Sequence, residues 1–408
     1  MAKNFPIRSL LIILILILID LLADNFIVSL FHIKPLGNIS IYLLFGYMFA
    51  QVIFAPLQSG VSDFIGRKFS ILFSLLITLV CMGIASIYLS TFSIGWLIGL
   101  ICMKSILGNT VPLALATIAD TQNKHYRRSF IGSSTTYALS FVILKLVGNS
   151  LGPIRFDIYL SAAVLISIIV VVLMLFDKED LRPEIVSLLH EKRLIQKEKT
   201  FIEKIYHEPA SIIRELKKKC MQQALFAYFL WEVSMYSIII ALVDLNLYQG
   251  TGLLSISMMG GYIAGVSVIY FIPQLTDSKV IKYGYYISTI SLIPYFIFFN
   301  IVNNIEIILQ ICYFLHALGN AFLSPAFMSM IAKEKHPEEQ GIAYGLIDSS
   351  DNMAFMVGTG LGLSVKIFHL QFIHLACFSF ASFLLSWIFL RRFKNGFNSK
   401  DGKLSGTK

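Results

Sequence analysis

The chain has 408 residues, 56% of them hydrophobic and 14% charged, with a mean hydropathy of +0.75. Soluble domains run nearer half apolar with about a quarter of their residues charged, so the composition excludes an ordinary soluble fold and reads as an integral membrane protein. The formal net charge of +9 points to nucleic acid only until the basic residues are located, because in a membrane protein Lys and Arg concentrate on the cytoplasmic side.

A spanning helix needs about 20 apolar residues. Twelve such runs occur, at 9–31, 39–59, 69–89, 94–118, 130–152, 157–177, 221–243, 254–275, 283–302, 305–331, 341–365 and 370–390. They are continuous, without the period-two alternation of barrel strands, and predict an all-α integral membrane fold of twelve transmembrane helices. With the N-terminus inside, 28 of the 33 Lys and Arg residues fall on the cytoplasmic side, three (Lys34, Arg155, Lys366) fall outside, and Lys104 and Lys145 lie within spans. Basicity therefore records topology, which predicts a multi-pass plasma-membrane protein with both termini cytoplasmic and no nucleic-acid partner.

The first run reads LLIILILILIDLLADNFIVSL over residues 10–30. Lys3 and Arg8 precede it as in a secretory signal, but the run carries no small-residue cleavage site, so a retained helix is expected. Its sixteen Leu, Ile, Phe and Val residues favour insertion by about 5 to 10 kcal/mol, and its two aspartates oppose it by about 5 to 7. Asp20 and Asp24 are four residues apart and share one helix face, which must point at protein or water. Intramembrane ionisable residues are costly and by default functional. The candidates for proton or substrate coupling are accordingly Asp20, Asp24, Lys104, Lys145, Glu232 in span seven, and Asp348 and Asp351 in span eleven. Asp20, the deeper acid of its pair, is expected to be the main proton carrier, with Lys145 able to snorkel outward. A plainer role stays open, in which the acids only pair with Lys104 or Lys145 to hold helices together. Tyr47, Tyr137, Trp231, Tyr236 and Tyr262 are candidate cavity aromatics.

Residues 178–219 form the one long polar stretch, with Ile, Leu and Phe at helical spacing among mixed charges, and read as an amphipathic linker on the inner membrane face. It divides the chain into a six-helix bundle over 1–177, a second over 220–392, and a tail over 393–408. The halves resemble each other: LGN at 107–109 recurs at 318–320, Gly132 pairs with Gly345, Gly148 with Gly362, and Asp63 with Asp277, at offsets of 211 to 214. Halves related by an axis along the membrane normal place a site at the midplane between them. The five cysteines show no metal-site or disulfide spacing and are read as packing residues.

Three motifs carry a family resemblance. YMFAQVIFAPLQSGVSDFIGRKFS at 47–70, KSILGN at 104–109 and GNSLGP at 148–153 together resemble the major facilitator superfamily, and most closely its twelve-span drug and small-molecule:proton antiporters. In the first motif Asp63, Gly66, Arg67 and Lys68 match the family signature after span two, while Ser59 stands where a glycine is expected and Phe64 replaces a base. The resemblance implies a conformational latch in which Asp63 pairs with nearby bases or a helix N-terminus in one state. PQLTDSKVIK at 273–282 is a second copy that keeps Leu275, Asp277 and Lys282 without the glycine turn. Lys104 matches the buried base that similar antiporters use in proton exchange, with Gly108 four residues on. Gly148, Gly152 and Pro153 match the antiporter helix-packing signature, where small residues allow close contact. PAFMSMIAKEKHPEEQGIAYG at 325–345 reads like the family's span ten to eleven junction.

No nucleotide-binding loop, metal cluster or nucleophile constellation is present, so an enzyme, a metal and a cofactor are not expected, and the proton gradient is the expected energy source. The reading is a monomeric secondary transporter that moves a small organic solute by alternating access in the lipid bilayer, as proton-coupled efflux. Proton-coupled or facilitated metabolite uptake, and a transport-dead sensor or lipid-translocating relative, are the alternatives. The charge asymmetry makes one direct prediction. Single cysteines placed in 178–219 should stay unlabelled by an impermeant thiol reagent added outside intact cells; outside labelling would invert the topology.

Overall fold

The computed structural model describes residues 7–33, 38–91, 93–121, 130–133, 210–244, 251–271, 276–297, 305–335 and 339–367, with isolated positions between 135 and 168 and between 377 and 388. Lys145, Gly148, Gly152 and Pro153, Tyr137, and residues 178–209 of the linker lie outside the described residues; 210–217 is helical. The elements with defined bounds are α1 (Ile7–Ile33), α2 (Asn38–Ile65), α3 (Arg67–Thr91), α4 (Ile94–Leu107), α5 (Thr110–Thr121), α6 (Lys219–Asp244), α7 (Thr251–Phe271), α8 (Asp277–Ile297), α9 (Ile305–Glu334) and α10 (Gln340–Ile367). No strand occurs among the described residues.

Helix α3 shows which solvent the protein is built for. Phe69, Phe73, Leu76, Val80 and Ile87 stand exposed along one side, while Ser70, Ser74 and Thr78 are buried on the other. In water that arrangement would be inverted; in lipid the apolar stripe faces hydrocarbon and the hydroxyls find partners inside. Among the described residues, Tyr42–Asp63, Arg67–Tyr88, Ile94–Asp120 and Gln310–Lys333 are long and apolar enough to cross a membrane. The described cysteines, Cys81, Cys102, Cys312 and Cys377, are free thiols.

The chain divides into two compact units, Met1–Ile212 with Ser324–Asp348, and Ile213–Leu323 with Ser349–Lys408. In the first unit Ile12, Leu16 and Ile19 of α1, Ile71 and Leu75 of α3 and Leu113 of α5 form a buried apolar cluster. The segment Ser324–Asp348 belongs to this unit by packing, although it comes after the linker in sequence. Small residues permit that: a Cβ on Gly345 would run into Ser59 Oγ, the Pro56 backbone and, at 2.9 Å, the Ala55 carbonyl. Gly341 and Gly345, one turn apart, let the start of α10 lie directly on the second half of α2. Tyr344 fixes the same turn, its hydroxyl donating to the Met328 carbonyl at 3.0 Å and its ring 5.6 Å from Phe130.

Within the second unit, α7 lies close on α9. A Cβ on Gly265 would stand 2.7 Å from Ala321 Cβ and 3.0 Å from the Leu318 carbonyl. Helix α8 meets α9 where a Cβ on Gly284 would stand 2.7 Å from Leu323 Cγ and 3.0 Å from the Gly319 carbonyl. α8 begins at Asp277, six residues ahead of the expected span, because the Thr276 carbonyl already accepts the Lys279 and Val280 amides. Hydropathy does not register a polar first turn.

The continuous run at 94–118 is corrected in one respect: it is a single crossing built as two helices, α4 and α5, with Gly108 and Asn109 between them.

The close approach of α10 to α2 predicts that Gly345→Leu lowers the thermal midpoint of the purified protein by several degrees, since overpacking costs about 1–3 kcal/mol. Gly83→Leu, at a position with nothing within 4 Å, should leave the midpoint unchanged.

Candidate functional site

The break in span four has a complete local explanation. Pro112 has no N–H to give the Gly108 carbonyl four residues back, and that carbonyl is taken instead by Lys104 Nζ at 2.5 Å and Thr78 Oγ1 at 3.5 Å. The amides of Thr110 and Val111 turn away from the preceding helix and both donate to Asp20 Oδ2, at 2.7 and 3.1 Å. Gln58 bridges the gap, donating to the Leu107 carbonyl at 2.6 Å and accepting the Asn109 amide at 3.1 Å. Asn109 Nδ2 then covers the Ser105 carbonyl at 3.3 Å. Each freed backbone group named here finds a side chain, as a membrane interior demands. Gly108 is required at this place, since a Cβ would sit 2.6 Å from Lys104 Cδ and 2.9 Å from the Lys104 carbonyl.

The same break gathers the charges. Lys104 Nζ lies 2.5 Å from Asp20 Oδ1 and 3.2 Å from Asp24 Oδ1. Tyr47 donates to Asp24 Oδ1 at 2.5 Å; Gln51 Nε2 donates to the Tyr47 hydroxyl oxygen at 3.0 Å and to Asn109 Oδ1 at 3.3 Å. Thr78 Oγ1 adds a 3.3 Å bond to Asp20 Oδ1. Asp20 and Lys104 have side-chain exposures of 1% and 0%, whereas Asp24 keeps 26%. The sequence-selected trio Asp20, Asp24 and Lys104 is therefore one cluster, placed at the positive N-terminus of α5. The unanticipated members are Thr78, Gln51, Gln58 and the two α5 amides. Only Gly108 and Pro112, four residues apart in an apolar run, announce the break that recruits them.

A second cluster lies at the α2–α3 turn. Gly66 has φ +111°, a conformation open to glycine. Arg67 leaves that turn fully buried. Its guanidinium pairs with Asp63 one helical turn back, donates from Nη1 to the Ser59 carbonyl at 3.1 Å and to Ser62 Oγ, and from Nε to Asp120 Oδ2 at 2.9 Å. Lys68 is partly buried on the next position. Asp120, at the far end of α5, escaped sequence reading because it closes a span instead of interrupting one. Gly341 completes the cluster: a Cβ there would stand 2.6 Å from Asp63 Oδ2 and 2.5 Å from Arg67 Nη1.

In the second unit, Glu232 is buried in α6. It lies within electrostatic reach of Asp351 and shares a hydrogen bond with Tyr228. Tyr236 donates to Asp351 Oδ1 at 3.1 Å and packs edge-on against Phe355, ring centroids 5.0 Å apart. Tyr262 of α7 is within electrostatic reach of both acids, and Trp231 packs edge-on against Tyr228 at 5.3 Å. Asp348, partly buried three residues before Asp351 on α10, is the last residue assigned to the first unit.

The site is thus a crossing interrupted at Gly108, with a buried acid on the N-terminus of its second helix and a buried Lys beside it. The family model of the Major Facilitator Superfamily matches residues 8–301 and 282–405, and the chain belongs to that superfamily. Among solved structures, the crystal structure of the human organic anion transporter MFSD10 (TETRAN) is similar over 96% of this chain and 99% of that one, with a TM-score of 0.67 at 15% sequence identity. At that identity the likeness speaks for the fold alone. No curated protein matches the chain in sequence. The protein is thus a multi-pass membrane transporter of small solutes.

The pairing at the α2–α3 turn predicts that Asp63→Asn, which leaves insertion intact, changes the transport rate by about tenfold or more, because a buried pair stripped of one partner is strongly destabilised. Wild-type rates in the variant would remove the latch.

Proposed function

We propose that the protein expels a small organic solute across the membrane in exchange for protons. One observation supports this reading above the others: two acids and one Lys share a single hydrogen-bonded cluster inside the first unit, and one of the acids keeps a quarter of its surface open. Two carboxylates and one ammonium carry a net charge of −1, which a single proton cancels. A group of that kind can alternate between binding a proton and doing without it while Lys104 stays paired, which is what exchange requires of a carrier.

Energy enters through the proton gradient, and no metal or cofactor has a part in the scheme. Within the second unit, Glu232 and Asp351, hydrogen-bonded to Tyr228 and Tyr236, are a second acidic group able to take a solute or a further proton. The latch at Asp63, Arg67 and Asp120 supplies the conformational side of the cycle, since its bonds form in one arrangement of α2, α3 and α5 and break in another.

Reconstituted liposomes test the proposal. After a panel of metabolites and organic dyes has identified a transported solute, an imposed pH gradient should drive its accumulation. The Asp20→Asn, Asp24→Asn double variant should lose that accumulation while keeping downhill exchange. Full gradient-driven accumulation by the double variant would overturn proton coupling through this cluster.

A further inference from the structure

Resting on the proton-exchange reading of this cluster, we infer that its two acids have separate tasks: Asp24 binds and releases the proton, and Asp20 is a permanent anion that positions α5 and Lys104.

The donors around each acid divide them. Asp20 accepts from four groups: Lys104 Nζ, Thr78 Oγ1, and the Thr110 and Val111 amides. The two amides are the opening N–H groups of α5; they cannot rotate or reverse into acceptors, and with Asp20 protonated they would face a weakened acceptor at a position with 1% side-chain exposure. Lys104 would lose its closest counter-ion in the same step. A proton on Asp20 therefore disturbs the helix break itself.

Asp24 is bound differently. It accepts from Tyr47 and stands 3.2 Å from Lys104. The phenol is both donor and acceptor, so it can turn as the carboxyl gains its own O–H. Gln51, donating to the phenol oxygen and to Asn109, leads from Asp24 to the break. With Asp24 neutral, the Lys104–Asp20 pair remains a balanced ion pair. The charged or titratable groups facing Asp24 are Asp20 on its own helix, Tyr47 on α2, Cys81 on α3 and Lys104 on α4; none of them needs to change charge when it protonates. Its 26% exposure gives the proton a way in, against 1% for Asp20. This division is the reverse of the one expected from depth in the bilayer.

Infrared difference spectroscopy of the full chain in lipid nanodiscs, stepped in pH without substrate, reads the protonated-carboxyl stretch directly. Asp24→Asn should abolish the titrating band that this cluster contributes, and Asp20→Asn should retain one. Since Asp20→Asn endangers the helix break, two milder variants serve beside it. Tyr47→Phe removes a donor from Asp24 alone and should change the band's proton affinity about tenfold, as for a hydrogen bond to a charged group. Thr78→Val removes a donor from Asp20 and from the Gly108 carbonyl but none from Asp24, and should leave it within about twofold. Loss of the band in Asp20→Asn with persistence in Asp24→Asn, or a response to Thr78→Val and none to Tyr47→Phe, overturns the division and leaves proton exchange standing. A band indifferent to every one of these variants overturns it likewise, by assigning the proton to other acids. No titrating carboxyl in the wild type overturns both this division and the proton-exchange reading.

Discussion

Asp20 is a carboxyl with 1% side-chain exposure in a helix made mostly of Leu and Ile, and the first unit is organised around satisfying it. An isolated carboxylate in hydrocarbon is too costly to keep. What meets that cost is a second irregularity: the crossing of α4 and α5 is broken at Gly108, and the amides the break releases are spent on Asp20. Either feature alone would destabilise the fold. Together they cancel, because a helix N-terminus without capping partners and an anion without donors are complementary defects. Lys104 closes the arrangement, its ammonium serving Asp20, Asp24 and the Gly108 carbonyl at once.

Much of this was legible from residues alone, for a physical reason. Charges in long apolar runs are expensive enough that each one announces itself, so Asp20, Asp24, Lys104, Glu232, Asp348 and Asp351 stood out in the sequence. Span positions were legible for the same reason, to within about two residues for α1, α3, α6 and α10, whereas α2 runs on to Ile65, six residues past the expected end. The polar residues that make the charges tolerable were silent. Thr78, Gln51 and Gln58 cost little in a span, so nothing in hydropathy marks them, and their bonds to Asp20, Asn109 and the Leu107 carbonyl join different helices. Asp120 was missed at a helix end, where acids are ordinary, and Gly341 because its significance is the absence of a side chain beside Arg67.

The duplicated LGN shows how far a short repeat can be trusted. At 107–109 the glycine sits in a helix break; at 318–320 α9 runs through without interruption. The residue four places after each glycine makes the difference. Pro112 stands at that place after Gly108 and removes the bond that would bridge it, whereas the equivalent residue after Gly319 is Leu323, which keeps its N–H. Freed from making a turn, Gly319 instead lets α8 approach, since a Cβ there would stand 2.9 Å from the Ser288 amide nitrogen. The same three residues therefore recur without a common role, and among the described residues no acid holds a helix break at Gly319 as Asp20 does at Gly108.

Helix α5 joins the two clusters of the first unit. Its N-terminus is tied to Asp20 through Thr110 and Val111, and its far end is tied to Arg67 through Asp120. Twelve residues make a rod of about 18 Å, stiff on the scale of the bonds at its ends. A displacement of the break by even a fraction of an ångström must be taken up by bending the rod, which the apolar cluster around Leu113 resists, or by moving Asp120 against the buried guanidinium. Arg67 has no slack of its own, being held as well by Asp63, Ser59 and Ser62 and pressed by Gly341. A change of charge at the break can thus reach the α2–α3 turn through one helix and two ion pairs. On the division of tasks proposed above the anchor stays in place: Asp20 holds the Thr110 and Val111 amides while Asp24, which contacts neither, takes the proton.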